Sequence, residues 1–235
     1  MNNWLKINQW LNYKPFRTHL FKQNCTLCDA ATNSEFSICA ACVQDLPLAP
    51  HPSCPQCGLS TQGDICGKCL KQQPHFDATH ALFTYGYPVD ALLQHYKYNN
   101  ALYLSQTFAQ LLSEKMQDKD IDVIIAMPLH PSRIKERGFN QSLELAKIIA
   151  KQHGIALDSA SCNRIKNTPP QASLPLKNRL KNMQGAFACN QSFSGKHIAL
   201  IDDVMTTGSS LNELAKTIKK AGARKVSCYV LARTQ

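Results

Sequence analysis

The chain has 235 residues and a formal net charge of +10, from 26 basic and 16 acidic side chains. This length fits one medium-sized domain and one small domain. No apolar run approaches the ~20 residues that span a bilayer, and the first residues lack the charged and apolar regions of a signal peptide. We therefore expect a cytoplasmic protein with no membrane insertion.

The N-terminal part is dominated by cysteine. Eight of the 11 cysteines occur as C-x-x-C pairs, which are Cys25 and Cys28, Cys39 and Cys42, Cys54 and Cys57, and Cys66 and Cys69. A C-x-x-C pair places two thiolates on one tight turn, and two such pairs complete a tetrahedral zinc site. Disulfides fit poorly in a reducing compartment, a redox motif would not occur four times, and an iron–sulfur cluster is the remaining alternative. We predict two structural Zn²⁺ ions.

A proline-rich break separates the cysteine pairs into two groups. Pro47, Pro50 and Pro52 lie between residues 25–42 and residues 54–69, so we favour sequential pairing within each group over a cross-brace. All four positions of each ion would then be filled by sulfur, which makes the sites structural rather than catalytic. We predict an N-terminal helix and a double zinc ribbon over residues 1–75.

From residue 76 onward, helical and strand patterns alternate. Apolar residues have helical spacing at 89–116 and 143–149, and buried-strand patterns occur at 121–127, 198–201 and 226–231. Such alternation indicates an α/β domain with a parallel sheet. We assign residues 76–235 to this second domain.

Residues 198–210, IALIDDVMTTGSS, carry the most informative pattern. A buried strand is predicted up to Ile201, with Asp202 and Asp203 at its carboxyl end, where open α/β sheets bind ligands. The following residues are Thr206, Thr207, Gly208, Ser209 and Ser210. Four hydroxyl groups and the N–H groups of a helix N-terminus there offer hydrogen bonds to a phosphate monoester, and Gly208 lets the ligand approach the main chain. The carboxylates should instead face hydrogen-bond donors such as the vicinal hydroxyls of ribose. Residue types alone predict a ribose 5-phosphate subsite.

The positive charge is concentrated in residues 130–182, which contain ten basic and three acidic side chains. This surplus favours a polyanionic ligand, either pyrophosphate or nucleic acid. Residues 128–142 are predicted to be a loop at the same end of the sheet as the acids. Its cations, Arg133, Lys135 and Arg137, could hold a pyrophosphate leaving group. His130 is expected to be structural.

A second irregular segment, residues 164–187, has three prolines and no steady period. Its length suggests an active-site lid, in which we expect Arg164, Gln171 and Arg179 to contact the ligand. Cys162, Cys189 and Cys228 have no spaced partners and are expected to be ordinary core or surface residues.

The pattern at 198–210 resembles the phosphoribosyl-diphosphate (PRPP) loop of type I phosphoribosyltransferases. With the zinc knuckles, Lys97–Tyr98, RGFNQ at 137–141 and a proline–glutamine pair in the lid, the chain resembles the ComF/GntX competence family over residues 25–233. That resemblance implies a double zinc ribbon fused to a type I phosphoribosyltransferase-like parallel sheet, and a role in natural DNA uptake.

For the site, the resemblance implies displacement at the ribose C1, with pyrophosphate leaving and Mg²⁺ bound with PRPP. The candidate catalytic residues are Asp202, Asp203 and Arg137; the loop 206–210 would anchor the 5-phosphate, and Arg133, Lys135 and Arg137 would contact the pyrophosphate. In purine-salvage relatives an acid stands where this chain has Thr206, so a 6-oxopurine acceptor is not expected.

Two functions stay open at this point. The first is an active phosphoribosyltransferase of unknown acceptor, and the second is a non-catalytic module that binds PRPP or single-stranded DNA and works with DNA-uptake proteins. Zinc ribbons and basic charge suit the second, whereas stacking aromatics are sparse in the basic segment, where Phe139 is the main one. In either case Cys54→Ser is expected to unfold the N-terminal segment and to leave PRPP binding largely intact.

Overall fold

The computed structural model describes residues 23–32, 36–99, 101–167 and 183–235. It contains two compact units, one ending at Leu46 and the other running from Pro47 to Gln235. The predicted N-terminal helix, Gln171 and Arg179 lie outside the described residues. None of the described helices combines the length and hydrophobicity needed to cross a membrane.

The smaller unit is built around the first two cysteine pairs. β1 (Gln23–Asn24) and β2 (Ala31–Thr32) form an antiparallel hairpin, whose turn carries Cys25 and Cys28. α1 (Ala40–Gln44) begins directly after Cys39 and contains Cys42. Elements this short need a metal or another staple for stability, since they bury little apolar surface.

The larger unit starts with the remaining cysteine pairs and continues into a five-stranded sheet. α2 (Gly67–Lys71) follows Cys66. The sheet strands are β3 (Ala78–Thr84), β4 (Val123–Ala126), β5 (Ala156–Asp158), β8 (His197–Met205) and β9 (Lys225–Arg233), in the spatial order β3-β9-β8-β4-β5. Every neighbouring pair in it is parallel. The predicted α/β fold with a parallel sheet is confirmed.

Helices connect these strands. The bounds are α3 (Val89–Tyr98) and α4 (Leu104–Ser113) before β4, α5 (Pro131–Arg137) and α6 (Gln141–His153) before β5, and α7 (Ser209–Lys220) between β8 and β9. Leu211, Leu214 and Ile218 of α7 are buried in one core with residues of β8 and β9. Each such side chain contributes roughly 1.5–3 kcal/mol of hydrophobic stabilisation. This packing holds the start of α7 next to the end of β8.

β8 is longer than the sequence pattern predicts. Its pairing with β4 stops at Ile201, but its pairing with β9 continues through Asp202 and Val204 to Met205. The acidic pair therefore lies inside the strand instead of after its end, because β9 continues alongside β8 where β4 has already turned away.

The segment 128–142, predicted to be a loop, contains α5. Pro131 occupies the first turn, the His130 side chain accepts a hydrogen bond from the Ser132 N–H, and Gly138 ends the helix with a φ of 85°. Proline at the start and glycine just past the end are recognised helix signals, which explains why this short helix forms. His130 is structural, as expected.

The predicted lid is bracketed by a second sheet. β6 (Cys162–Arg164) and β7 (Phe187–Cys189) pair in antiparallel fashion, and a disulfide joins Cys162 to Cys189. The expectation that these two cysteines have no partner is wrong, because the register of the two strands brings them together. Cys228 is buried in the sheet.

Candidate functional site

Eight of the 11 cysteines form two groups of four. Cluster 1 is Cys25, Cys28, Cys39 and Cys42, and cluster 2 is Cys54, Cys57, Cys66 and Cys69; within each, the sulfur atoms all lie within 4.8 Å of one another. The Cys28–Cys39 sulfur distance is 3.7 Å and the Cys57–Cys66 distance is 3.5 Å. Two sulfurs bound at ~2.3 Å to one tetrahedral zinc ion are expected about 3.8 Å apart. The residues present fit structural Zn²⁺, and the structure groups them sequentially.

The first knuckle of each cluster has the same main-chain hydrogen bonds. The N–H groups of Cys25 and Cys54 each bond to the carbonyl five residues later, at 2.8 Å. The residue after each second cysteine has a positive φ, 58° for Asp29 and 72° for Gly58. Glycine adopts this conformation without strain, whereas Asp29 has in addition a side-chain hydrogen bond from Asn24 at 3.0 Å. The repeated geometry indicates two equivalent metal knuckles.

Main-chain N–H groups favour the thiolate form of one cysteine in each cluster. Burial acts to raise the pKa of Cys25 and Cys54, but N–H groups directed at their sulfurs outweigh it and lower the pKa to about 6 and about 7. The Cys39 N–H, for instance, lies 3.3 Å from the Cys25 Sγ. Because zinc binds deprotonated sulfur, these N–H groups prepare the clusters for a metal ion.

The acidic pair at the end of β8 is buried and partnered. The Lys97 Nζ lies 2.6 Å from the Asp203 Oδ2, and the Ser142 Oγ donates to the Asp202 Oδ1 at 2.9 Å. The Asp203 N–H also donates to this Asp202 oxygen, at 2.9 Å. Three elements thus meet here, since Lys97 comes from α3 and Ser142 from α6. The lysine offsets one of two adjacent negative charges that burial would otherwise make costly.

Burial changes the acid–base behaviour of this pair. Desolvation, together with the neighbouring Asp203 charge, raises the pKa of Asp202 to about 7, against the opposing effect of Lys97 and two hydrogen bonds. Burial acts to lower the pKa of Lys97, but the Asp203 carboxylate overrides it and the pKa is raised. Lys97 is therefore positively charged at neutral pH, and Asp202 gains or loses its proton near that pH.

The predicted phosphate loop connects β8 to α7. Gly208 has a φ of 77°, a left-handed conformation that glycine adopts without strain and other residues rarely adopt. A Cβ atom there would also lie 2.6 Å from the Met205 Cε, at the end of a flexible side chain that would have to move. The Thr207 Oγ1 and Ser209 Oγ lie 2.6 Å apart, and the Ser209 N–H donates to the Thr207 Oγ1 at 3.3 Å. Because α7 begins at Ser209, the hydroxyls gather around a helix N-terminus, which attracts anions.

A basic pocket adjoins Lys97. It has a volume of about 170 Å³ and is lined by Lys97, Tyr98, Arg133, Glu136 and Arg137. The Arg137 guanidinium lies 5.2 Å from the centre of the Tyr98 ring, and Arg133 forms an ion pair with Glu136 at 2.7 Å. Since Lys97 also contacts Asp203, the pocket and the acidic pair share one residue.

The other predicted site residues differ in their distance from the pocket and the acidic pair. Arg133 and Arg137 line the pocket, whereas Lys135 is exposed on α5 and is not among the residues that line it. Arg164 lies near the acidic pair: burial lowers its pKa, and the Asp202 charge acts against that shift. Phe139 packs against Tyr96, with ring centres 6.0 Å apart.

Sequence reasoning did not identify two residues of the site. Ser142, which hydrogen bonds to Asp202, carries no signal of its own in the sequence. Lys97 was noticed only as part of a family resemblance, and its ion pair with Asp203 could not be deduced from spacing. Both reach the site through the packing of helices on the sheet.

Comparison with known proteins agrees with both parts of this architecture. Residues 17–70 match the double zinc ribbon domain, and residues 140–235 match the phosphoribosyl transferase domain. The purine phosphoribosyltransferase of Pyrococcus horikoshii is a similar solved structure, at 20% identity and a TM-score of 0.36, covering 55% of this chain and 73% of that chain.

Similarity to two curated proteins extends over most of the chain. Competence protein F of Haemophilus influenzae is 34% identical over 212 residues, which cover 83% of this chain and 90% of that protein. DNA utilization protein YhgH of Salmonella typhimurium is 31% identical, over 89% of this chain and 90% of that protein. The chain therefore belongs to the ComF family, in which a double zinc ribbon is joined to a phosphoribosyl transferase domain.

Proposed function

We propose that this protein binds PRPP with the acidic pair and the loop 206–210, and that it serves the handling of DNA taken up by the cell. The observation that carries the proposal is the arrangement at one end of β8. Two buried carboxylates lie in the strand directly before a hydroxyl-rich helix N-terminus, which Gly208 precedes with a φ of 77°. A ribose 5-phosphate needs both environments, acceptors for its diol and donors for its phosphate.

In this proposal each residue has one task. Thr206, Thr207, Ser209 and Ser210 donate hydrogen bonds to the 5-phosphate, and Gly208 lets the ligand approach the main chain. Asp202 and Asp203 accept hydrogen bonds from the ribose hydroxyls and orient C1. Ser142 and Lys97 hold the two carboxylates in place.

The pyrophosphate would lie in the basic pocket. Arg133 and Arg137 line it, and guanidinium groups bind phosphate oxygens through paired N–H donors. As the bond to C1 breaks, negative charge grows on the departing pyrophosphate, and cations held in place beforehand stabilise that charge. Lys135 is a weaker candidate because its side chain lies outside the pocket lining.

Mg²⁺ fits this site chemically, because it prefers oxygen ligands and Asp202 and Asp203 supply carboxylate oxygens beside the ligand diol. Bound with PRPP, it would neutralise part of the pyrophosphate charge. The acceptor is unknown, and Thr206 at the position of the purine-salvage acid argues against a 6-oxopurine.

The DNA-related part of the proposal comes from the relatives, whose names refer to competence and DNA utilization. In a competing proposal the protein is non-catalytic and binds single-stranded DNA. A specific observation favours it: Tyr98 is 69% exposed beside Arg137 in the basic pocket. Exposed aromatic rings next to cations bind single strands by stacking and charge attraction. DNA-uptake proteins are the proposed partners, and the cytoplasm is the proposed location.

Calorimetry with PRPP and Mg²⁺ tests the primary proposal. Wild-type protein should bind PRPP in a Mg²⁺-dependent manner, and Asp202→Asn with Asp203→Asn should abolish binding while the circular dichroism spectrum is unchanged. Asp90→Asn is a matched control, because the Asp90 carboxylate accepts a local hydrogen bond from the Ala91 N–H. Undiminished affinity in the double variant would refute the assignment of the ribose subsite.

Catalysis is tested separately by measuring pyrophosphate release with a panel of nucleobase, amine and nucleic-acid acceptors. Release with one acceptor that disappears in Arg137→Met supports an enzyme. PRPP binding without release for any acceptor supports the non-catalytic proposal. A single-stranded DNA titration of Tyr98→Ala then asks whether the exposed ring contributes to DNA affinity.

A further inference from the structure

The sequence suggests that the zinc ribbons and the ligand-binding domain are independent, but within the larger unit the structure connects cluster 2 to the parallel sheet. The knuckle of cluster 2 packs on the parallel sheet, where the Thr79 N–H donates to the Pro55 carbonyl at 2.9 Å and the Thr79 Oγ1 donates to the Gln56 carbonyl at 2.5 Å. The Ser60 N–H donates to the Gln235 Oε1 at 2.8 Å. Cluster 2 and the sheet therefore form one packed structure within the larger unit.

Arg233, the last residue of β9, lies between cluster 2 and the phosphate loop. Its side chain is nearly inaccessible, at 2% exposure. The Nε donates to the Cys57 carbonyl at 2.9 Å, and Nη1 donates to the Met205 carbonyl at 3.1 Å and also to the Thr206 carbonyl. One guanidinium thus connects the main chain of a cysteine knuckle to the last residue of β8 and the first residue of the loop.

These hydrogen bonds determine how the loop presents its donors. In a trans peptide the carbonyl and the following N–H point in opposite directions. With the carbonyls of Met205 and Thr206 directed at Arg233, the N–H groups of Thr206 and Thr207 point away from it. The Thr234 N–H also donates to the Met205 carbonyl, at 3.1 Å, so the peptide plane that depends on Arg233 is the one between Thr206 and Thr207.

The acceptors of Arg233 connect the loop to the metal content of cluster 2. The guanidinium donates to four main-chain carbonyls, those of Cys57, Met205, Thr206 and Thr234. Cys57 belongs to cluster 2, so the position of its carbonyl depends on the knuckle that a bound zinc ion would hold together.

We propose that Arg233 is a positioning residue through which zinc in cluster 2 holds the phosphate loop in its binding conformation. Loss of that zinc would release the Cys57 knuckle, whose carbonyl accepts from the Arg233 Nε, and the peptide between Thr206 and Thr207 would lose its fixed orientation. Cluster 2 then supports ligand binding as well as the folding of the ribbon. The consequence for PRPP rests on the proposed function, but the effect on the loop does not.

Hydrogen–deuterium exchange of the full chain, followed by mass spectrometry, tests the proposal without a ligand. In Arg233→Met, peptides covering 204–210 should exchange at least tenfold faster, while metal analysis still finds the wild-type zinc content. Cys66→Ser, which removes one sulfur of cluster 2, should have the same effect on these peptides. Arg233→Lys keeps the charge but loses the fork of donors, so its exchange should fall between wild type and Arg233→Met.

Two control variants separate this effect from general destabilisation. Cys39→Ser removes the equivalent sulfur of cluster 1, and Arg224→Met removes an arginine that bonds to the Gly195 carbonyl and Asp120. Both should leave exchange at 204–210 unchanged. Wild-type exchange there in Arg233→Met, or faster exchange in Cys66→Ser that is confined to residues 47–76, would overturn the proposal. If Arg233→Met does not fold, the same criterion applies to Arg233→Lys.

PRPP calorimetry on these variants extends the test. Arg233→Met and Cys66→Ser should lower PRPP affinity at least tenfold, whereas Arg224→Met and Cys39→Ser should not. If the wild-type protein does not bind PRPP, the proposed function fails, and the exchange data alone decide whether Arg233 positions the loop.

Discussion

The ion pair between Lys97 and Asp203 offers a quantitative test of the site. The two charged atoms lie 2.6 Å apart, and the side chains are 20% and 6% exposed. At this separation the gross attraction is about 6 kcal/mol for an effective dielectric constant of ~20, and desolvation offsets much of it. Removing one partner of a buried pair typically costs about 3–5 kcal/mol, because the other charge is left without compensation. Lys97 is partly exposed, so we expect the cost of Lys97→Met to lie at the lower end of this range, at about 3 kcal/mol for the larger unit.

A second ion pair in the same unit serves as a control. The Lys147 Nζ lies 2.8 Å from the Glu144 Oε1, almost the same distance, but these side chains are 53% and 30% exposed. Water screens such a pair, so Lys147→Met should cost at most about 0.5 kcal/mol. Both variants remove a lysine ammonium group at a similar distance from its carboxylate partner. A difference in their free energies of unfolding therefore reports the difference in burial.

The assay is urea unfolding of zinc-loaded protein at pH 7.5, with Lys97→Met, Asp203→Asn and the double variant forming a thermodynamic cycle. We expect a coupling energy of about 2–3 kcal/mol, because in the double variant neither member of the Lys97–Asp203 pair is left as a buried charge without its partner. Lys97→Met should also lower the melting temperature by roughly 6–12 °C. A coupling energy below about 0.5 kcal/mol, as in an exposed pair, would refute the reasoning.

Three further predictions concern the site and the metals. Because the pKa of Asp202 is raised to about 7, its proton is favoured in the folded state, so its contribution to stability is greatest at low pH and is lost as the pH rises through 7. The ionised carboxylate is the form that accepts hydrogen bonds from the ribose diol, so the affinity for ribose 5-phosphate measured by calorimetry should increase between pH 6 and pH 8. A flat profile, or the same profile in Asp202→Asn, would contradict this prediction. Gly208→Ala should reduce phosphate affinity at least tenfold in the same assay, since its Cβ would meet Met205 at 2.6 Å with φ at 77°; wild-type affinity would show that the loop tolerates a side chain. Elemental analysis of purified protein should find two zinc ions per chain, with one ion or an iron chromophore counting against the paired clusters.

Local chemistry was readable from the sequence. C-x-x-C spacing predicts metal knuckles because two thiolates on one turn need no distant partner to define their geometry. The strand, acids, hydroxyls and glycine at 198–210 are likewise contiguous in the sequence, so no distant residue is needed to bring them together. Gly208 and Gly58, which the structure shows with a positive φ, are local signals of the same kind, since the left-handed conformation is a property of single residues.

Partners that come from different elements could not be predicted in this way. Lys97 reaches Asp203 only because α3 packs beside the end of β8, and Ser142 reaches Asp202 from the first turn of α6. Cys162 and Cys189 are joined only because β6 and β7 pair in one register. Nothing in local spacing encodes such contacts, since they depend on how apolar faces of separate elements pack.

The sequence by itself therefore determined the metal-binding motifs, the alternating α/β pattern and the hydroxyl-rich turn that we propose binds phosphate, all of which arise from neighbouring residues. Only the tertiary structure decided the environment of these groups. Burial beside Asp203 raises the pKa of Asp202, Lys97 supplies the compensating charge, and Arg233 connects cluster 2 to the loop. Desolvation and ion pairing act through space in a low-dielectric interior, so they are set by folding and not by distance along the chain.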